Sequence, residues 1–241
     1  MGSGRIEQRQ GRSDVEKQAT ATGQSIVIAI DGTSASGKST NAKLVAKALG
    51  YVYVDTGAMY RTLAWHALCK HVDAQDTKRV AGLVRRWKTK LVCAEGRVRL
   101  LVDGYYPEKE IRTAEVSGVV AHVAAIPQVR AWMKKKQREC ARFGHLVMEG
   151  RDIGSNVFPE TEFKFFLDAH LEERTKRRAA EGVRENLAAR DARDSQRAAA
   201  PLMVPLGAKV INNSALTPEQ TSGMIIEEIK RRLARQDSRS K

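Results

Sequence analysis

The segment Asp31-Gly-Thr-Ser-Ala-Ser-Gly-Lys38-Ser39 fits the pattern G-x-x-x-x-G-K-[ST]. That spacing serves one kind of chemistry. Glycines at 32 and 37 let the backbone approach a polyanion closely, and successive amides then point at it. Lys38 reaches the β- and γ-phosphates of a triphosphate, and the Ser39 hydroxyl is placed for Mg²⁺. Three further segments carry charge in useful patterns. Asp55-Thr-Gly-Ala-Met-Tyr60-Arg61 reads as a helix start beside a phosphate, and equally as a simple cap with an exposed arginine. Glu149-Gly-Arg151-Asp152 offers a carboxylate to assist Mg²⁺ through water, or a salt-bridged loop. In Arg190-Asp-Ala-Arg-Asp194-Ser-Gln-Arg197, positions 190, 194 and 197 share one helix face. Two arginines around one aspartate grip a phosphate and a sugar or base, or form an exposed pair worth ~0.3–0.5 kcal/mol.

These residues need a scaffold that delivers them to one place. The run at 26–30 is continuously apolar, as in a strand covered on both faces. After the glycine loop, Leu44, Val45, Ala48 and Leu49 recur at helical spacing, and Gly50 is a natural stop. Short apolar runs and helical patterns then alternate. Strands are expected at 25–31, 51–54, 145–149, 163–168 and 208–212, and helices at 38–49, 58–70, 128–142, 171–181, 184–198 and 218–234. Thr217, Pro218 and Gln220 form a capping box for the last helix. The stretch 72–113 interrupts the alternation. Runs at 90–94 and 98–102 around Glu95-Gly96 predict a β-hairpin, taken as an insertion. The pattern predicts an α/β, three-layer fold with a central parallel sheet. Ligands of such sheets gather at the carboxyl ends of the strands.

Composition narrows the class. The chain has 241 residues, enough for one compact core at 25–235, with the insert at 72–113 and a helical lid at 171–197. Residues 1–24 lack periodicity and are expected to be disordered, and 236–241 reads as a polar tail. No apolar stretch approaches the ~20 residues that span a bilayer, and no secretory signal is evident, so no membrane partner is expected. Three widely spaced cysteines suit free thiols in a reducing cytoplasm. The net charge of +14 admits nucleic-acid binding, or a pocket for charged small phosphates beneath a solvated basic surface. No basic motif interleaved with aromatics is present, which favours the second.

Taken together, the four segments resemble the bacterial-type cytidylate kinases, P-loop kinases of nucleoside monophosphates. Asp31-Gly32 to Gly37-Lys38 is similar to that family's phosphate loop, and Asp55-Thr-Gly-Ala-Met-Tyr60-Arg61 to its D-[ST]-G-A-x-Y-R segment. Glu110-Ile111-Arg112, Gly150-Arg151-Asp152, Arg190 to Arg197 and Ala200-Pro201-Leu202 complete a resemblance running from about 25 to 234. It implies ATP as donor, Mg²⁺ as cofactor, CMP and dCMP as acceptors, and a monomer. Gly32, Thr33, Ser34, Ala35, Ser36, Gly37, Lys38, Ser39 and Thr40 would hold the donor, with Ser39 and Glu149 toward the metal. Thr56, Tyr60, Arg61, Arg112, Arg151, Asp152, Arg190, Asp194 and Arg197 would line the acceptor pocket. Arg61 and Arg151 would hold the acceptor phosphate, Asp152 with Arg112 would read the cytosine edge, and Asp194 would approach the sugar. Lys38, Arg151, Arg190 and Arg197 would supply the catalytic charge. Thr33 stands where the family often has proline, and the stretch from Arg174 to Arg190 is short, which leaves Arg174, Arg177 and Arg178 unassigned. A kinase of other pyrimidine monophosphates, and an ATP-dependent nucleic-acid-binding protein, are the competing expectations.

Overall fold

Seven strands, β1 (Val27–Gly32), β2 (Val52–Asp55), β3 (Thr89–Ala94), β4 (Arg97–Val102), β5 (Leu146–Glu149), β6 (Phe163–Asp168) and β7 (Lys209–Asn212), pair into one sheet in the order β3-β4-β2-β5-β1-β6-β7. The computed structural model describes residues 25–182 and 186–239. The segment 1–24, expected to be disordered, lies outside the described residues, as do 183–185 of the expected lid and the last two residues of the chain. Eight α-helices are described: α1 (Lys38–Leu49), α2 (Thr56–Cys69), α3 (Thr77–Arg86), α4 (Ala114–Ala125), α5 (Pro127–Glu139), α6 (Leu171–Ala180), α7 (Leu187–Ser195) and α8 (Pro218–Arg239).

The central strand explains the layering. All six residues of β1 are buried, between β5 on one side and β6 on the other, both parallel to it. Ile28 and Ile30 face a core shared with Val45 and Leu49 of α1 and Ile225 and Ile229 of α8. Val27 and Ala29 face the opposite way, onto Met148, Met133 and Ile153. Each large aliphatic side chain buried in this way contributes ~1.5–3 kcal/mol. A third cluster joins α2, α3, α4 and α5 through Leu63, Val80, Val84, Val116, Val123 and Val129.

The parallel strands end together. Asp55 lies beside Glu149 in register, Gly32 beside Leu167, and Asp168 beside Asn212. Five strand ends therefore deliver their last residues to one edge of the sheet.

The expected hairpin is present, with β3 antiparallel to β4. It extends the central sheet, because β4 joins β2 in parallel at Tyr53 and Arg97. Two helices were not expected. In α3 the Asp76 carboxylate accepts from the Arg79 amide at 3.0 Å, and in α4 the Thr113 hydroxyl accepts from the Val116 amide at 3.4 Å. Valines and glycines are weak helix formers, so packing against α2 and α5 outweighs local preference here. The last helix continues past Ala234 to Arg239, where a polar tail was expected. Among the described residues no helix is long and apolar enough to cross a membrane.

Candidate active site

The glycine loop begins where β1 leaves the core. Gly32 has φ +151°, and a Cβ there would lie 2.0 Å from the Leu167 carbonyl oxygen. Ala35 and Gly37 hold positive φ values of 57° and 83°, so the amides of the loop curl around one point ahead of α1. The loop is fixed from outside as well. The Thr33 hydroxyl donates to Asp168 at 2.9 Å, Asn213 donates to the Ser36 carbonyl at 2.9 Å, and Asn41 donates to the Gly37 carbonyl at 2.9 Å. Lys38 is buried, with Nζ on the Thr33 carbonyl and 3.3 Å from Ser36 Oγ. Burial and the nearby Arg151 guanidinium hold its pKa well below the usual lysine range.

At the end of β5, Glu149 is buried and accepts from the Tyr53 hydroxyl at 2.5 Å. Burial and the charge of Asp55 raise its pKa, opposed by hydrogen bonds from Ser39 and Tyr53. Ser39 and Glu149 are thus brought together. A hydroxyl, a carboxylate and nearby Asp55 are hard oxygen donors that suit Mg²⁺. Among the described residues no three His, Cys, Asp or Glu side chains form a self-contained metal cage.

A second cluster of charged residues is built on α2 and the turn after β5. Asp55 caps α2, accepting from the Ala58 amide at 2.8 Å and from Arg112 Nη2 at 2.7 Å. Burial alone would raise its pKa, but Arg112 and Arg61 lower it overall. The Thr56 hydroxyl donates to the Glu149 carbonyl at 2.6 Å. Arg61 is pushed down to about 10 by burial and by Arg112, Arg190 and Arg151, with Asp55 opposing. Arg197 is also lowered, by burial and by Arg130 and Arg151 against Asp194. Cations crowded in this way are matched to a multiply charged anion.

One cleft of about 1370 Å³ contains both halves. Ser34, Ala35, Gly37, Lys38, Ser39 and Thr40 line one end of it. Thr56, Tyr60, Arg61, Arg112, Glu149, Arg151, Asp152, Arg190, Asp194 and Arg197 line the rest. Gly32, Thr33 and Ser36 belong to the same loop but do not line the cleft. Arg177 and Arg178 also face the cleft, Arg177 donating to Asn213 Oδ1 at 3.1 Å.

A sequence model described as Cytidylate kinase matches residues 28–231. The cytidylate kinase of Caldanaerobacter subterraneus subsp. tengcongensis is 40% identical over 217 residues, covering 86% of this chain and 95% of that protein. The cytidylate kinase of Bacillus subtilis is 38% identical over 216 residues, covering 85% and 96%. The chain belongs to the cytidylate kinase family.

Within this cytidylate kinase fold, Arg112 is held by Asp55, and the partner of Asp152 is Arg130 of α5, at 2.6 Å. Arg130 was not singled out from sequence. Nothing local marks it, since it is one of several basic residues on a helix whose burial is decided by tertiary packing. Asn213, Asp168 and Asp191 were also missed, and each holds the glycine loop from a distant part of the chain.

Proposed function

We propose that the chain transfers the terminal phosphoryl group of ATP to CMP, giving ADP and CDP, with dCMP as a second acceptor. The observation that carries this reading is the single cleft with a phosphate loop at one end and clustered arginines beside the buried Arg130–Asp152 pair at the other. Cytosine offers two acceptors, O2 and N3, and one donor, its amino group. A guanidinium next to a carboxylate complements that edge, whereas the second carbonyl of uracil would face the carboxylate.

The attacking oxygen belongs to a phosphate already anionic near neutral pH, so no strong general base is required. The difficulty is bringing two polyanions into line. Arg61 and Arg151 take the acceptor phosphate, while Lys38 and the loop amides hold the donor. Arg190, on the lid helix α7, and Arg197, two residues past its end, add charge where it develops during transfer. Mg²⁺ bound near Ser39 and Glu149 would offset charge on the β- and γ-phosphate oxygens. Closure of α6 and α7 over the cleft excludes water that would otherwise hydrolyse ATP.

One chain supplies both sites, which supports a monomer. Cys69, Cys93 and Cys140 are all free thiols, in keeping with a reducing cytoplasm. The test is ADP release with CMP, dCMP, UMP and AMP supplied in turn. CMP and dCMP should give the highest kcat/KM. Equal rates with UMP, or ADP release independent of any acceptor, would remove the assignment.

A further inference from the structure

Ser34 is 2% exposed, and its three polar groups are held by three different parts of the chain. Its amide donates to Asp191 Oδ1 of α7 at 2.9 Å. Its carbonyl accepts from Arg174 Nη1 of α6 at 3.0 Å. Its hydroxyl accepts from Arg151 Nη2 at 2.9 Å. Arg151 Nε in turn donates to Asp194 Oδ2, also on α7, at 2.9 Å. The contacts close on themselves, running from Ser34 to Asp191, along one turn of α7 to Asp194, and back through Arg151 to Ser34. Arg174 braces the ring by also donating to Asp191 and, at 2.9 Å, to the Ala169 carbonyl.

We propose that Ser34 is a positioning residue that couples the two nucleotide sites, holding Arg151 in its working orientation only when the phosphate loop and α7 are both in place. This rests on the kinase reading given above. The physical reason is the shared atom set. Ser34 lies in the loop whose amides face the donor, so a ligand that fixes the loop also fixes the Ser34 hydroxyl. That hydroxyl is one of two anchors for Arg151; the other, Asp194, moves with α7. Donor binding therefore reduces the ordering that acceptor binding must supply, and by linkage the effect is reciprocal. Without the hydroxyl, Arg151 keeps only its lid anchor, and the donor loop no longer influences it.

The test is calorimetric titration of CMP, with and without a non-hydrolysable ATP analogue and Mg²⁺, on the wild type, Ser34→Ala, Ser34→Thr and Asp191→Asn. The wild type should bind CMP about 5-fold or more tightly with the analogue present, the lower end of measured site-to-site coupling. In Ser34→Ala that gain should fall below about 2-fold, and by the same linkage the tightening of the ATP analogue by CMP should fall with it. Ser34→Thr restores a hydroxyl and should regain coupling, which a packing role alone would not produce. Asp191→Asn keeps an acceptor for the Ser34 amide but loses the charge facing Arg174. It attacks the ring from the lid and should also weaken coupling, whether or not Ser34→Ala folds. Undiminished coupling in the folded variants overturns the proposal, as does a wild type that turns over CMP yet binds both nucleotides independently. A wild type that does not phosphorylate CMP at all fails the ADP-release assay first, and removes the underlying kinase reading instead.

Discussion

Arg130 and Asp152 meet at 2.6 Å with both side chains almost wholly buried, at the wall of a cleft crowded with charge. The pair is oriented from behind. Arg130 Nη1 donates to the Ala124 carbonyl at 3.1 Å, and Asp152 accepts from Asn156 Nδ2 at 2.8 Å. The guanidinium also lies 5.6 Å from the ring centre of Tyr60.

Base selectivity is expected to depend on that pair. Asp152→Asn should lower kcat/KM for CMP by about 10- to 100-fold, the scale of a lost charged hydrogen bond, and should affect UMP less. The CMP-to-UMP ratio checks this directly. Arg130→Met leaves a buried carboxylate without its partner and should cost about 3–5 kcal/mol of stability, read from denaturant midpoints.

Lys38→Ala should reduce kcat by about 10²- to 10³-fold with the fold intact, because it removes one group that offsets charge developing in transfer. Circular dichroism and single-turnover kinetics together test this. Near-normal turnover by a folded variant contradicts the role.

Asp31 gives a pH signature. It is fully buried and accepts from the amides of Ile153 at 2.8 Å and Gly154 at 2.7 Å, directly after Arg151 and Asp152. Burial pushes its pKa from 3.8 up to about 7, against the pull of those two amides. The folded protein therefore binds a proton that the unfolded chain has lost between about pH 4 and pH 7. Through this group, stability falls as pH rises across that window and levels off above it. Asp31→Asn should flatten that part of the melting-temperature profile. An unchanged slope would show that Asp31 does not titrate there.

Gly32→Ala should both destabilise the protein and abolish nucleotide binding. The new methyl group would meet the Leu167 carbonyl at 2.0 Å, and backbone of a central strand cannot yield as a flexible side chain does. Thermal melting with and without ATP separates the two effects.

The parts readable from sequence are those whose determinants are contiguous. A buried strand, a glycine loop and a helix follow one another from Val27 to Leu49, and α1 has the bounds that the spacing predicts. The spacing of Arg190 and Asp194 likewise predicts a shared helix face; α7 ends at Ser195, before Arg197, yet all three line the cleft. What sequence did not reveal depends on distant partners. The helical state of Ala114–Ala125 is set by packing of Val116 and Val123 against α2 and α5, not by valine's own preference. Arg130 becomes notable only because Asp152, far along the chain, is folded against it. The attachment of β4 to β2 needs the whole sheet before it can be seen.

That attachment has a consequence for how the molecule comes apart. β3 and β4 share six registered pairs with each other, but β4 registers with β2 only at Tyr53 and Arg97, while β1 is secured along its length on both sides. Amide hydrogen exchange should therefore be quickest in the hairpin and slowest in β1. Mild denaturant would loosen the peripheral ribbon, and Arg97 with it, while the strand beneath the glycine loop still holds.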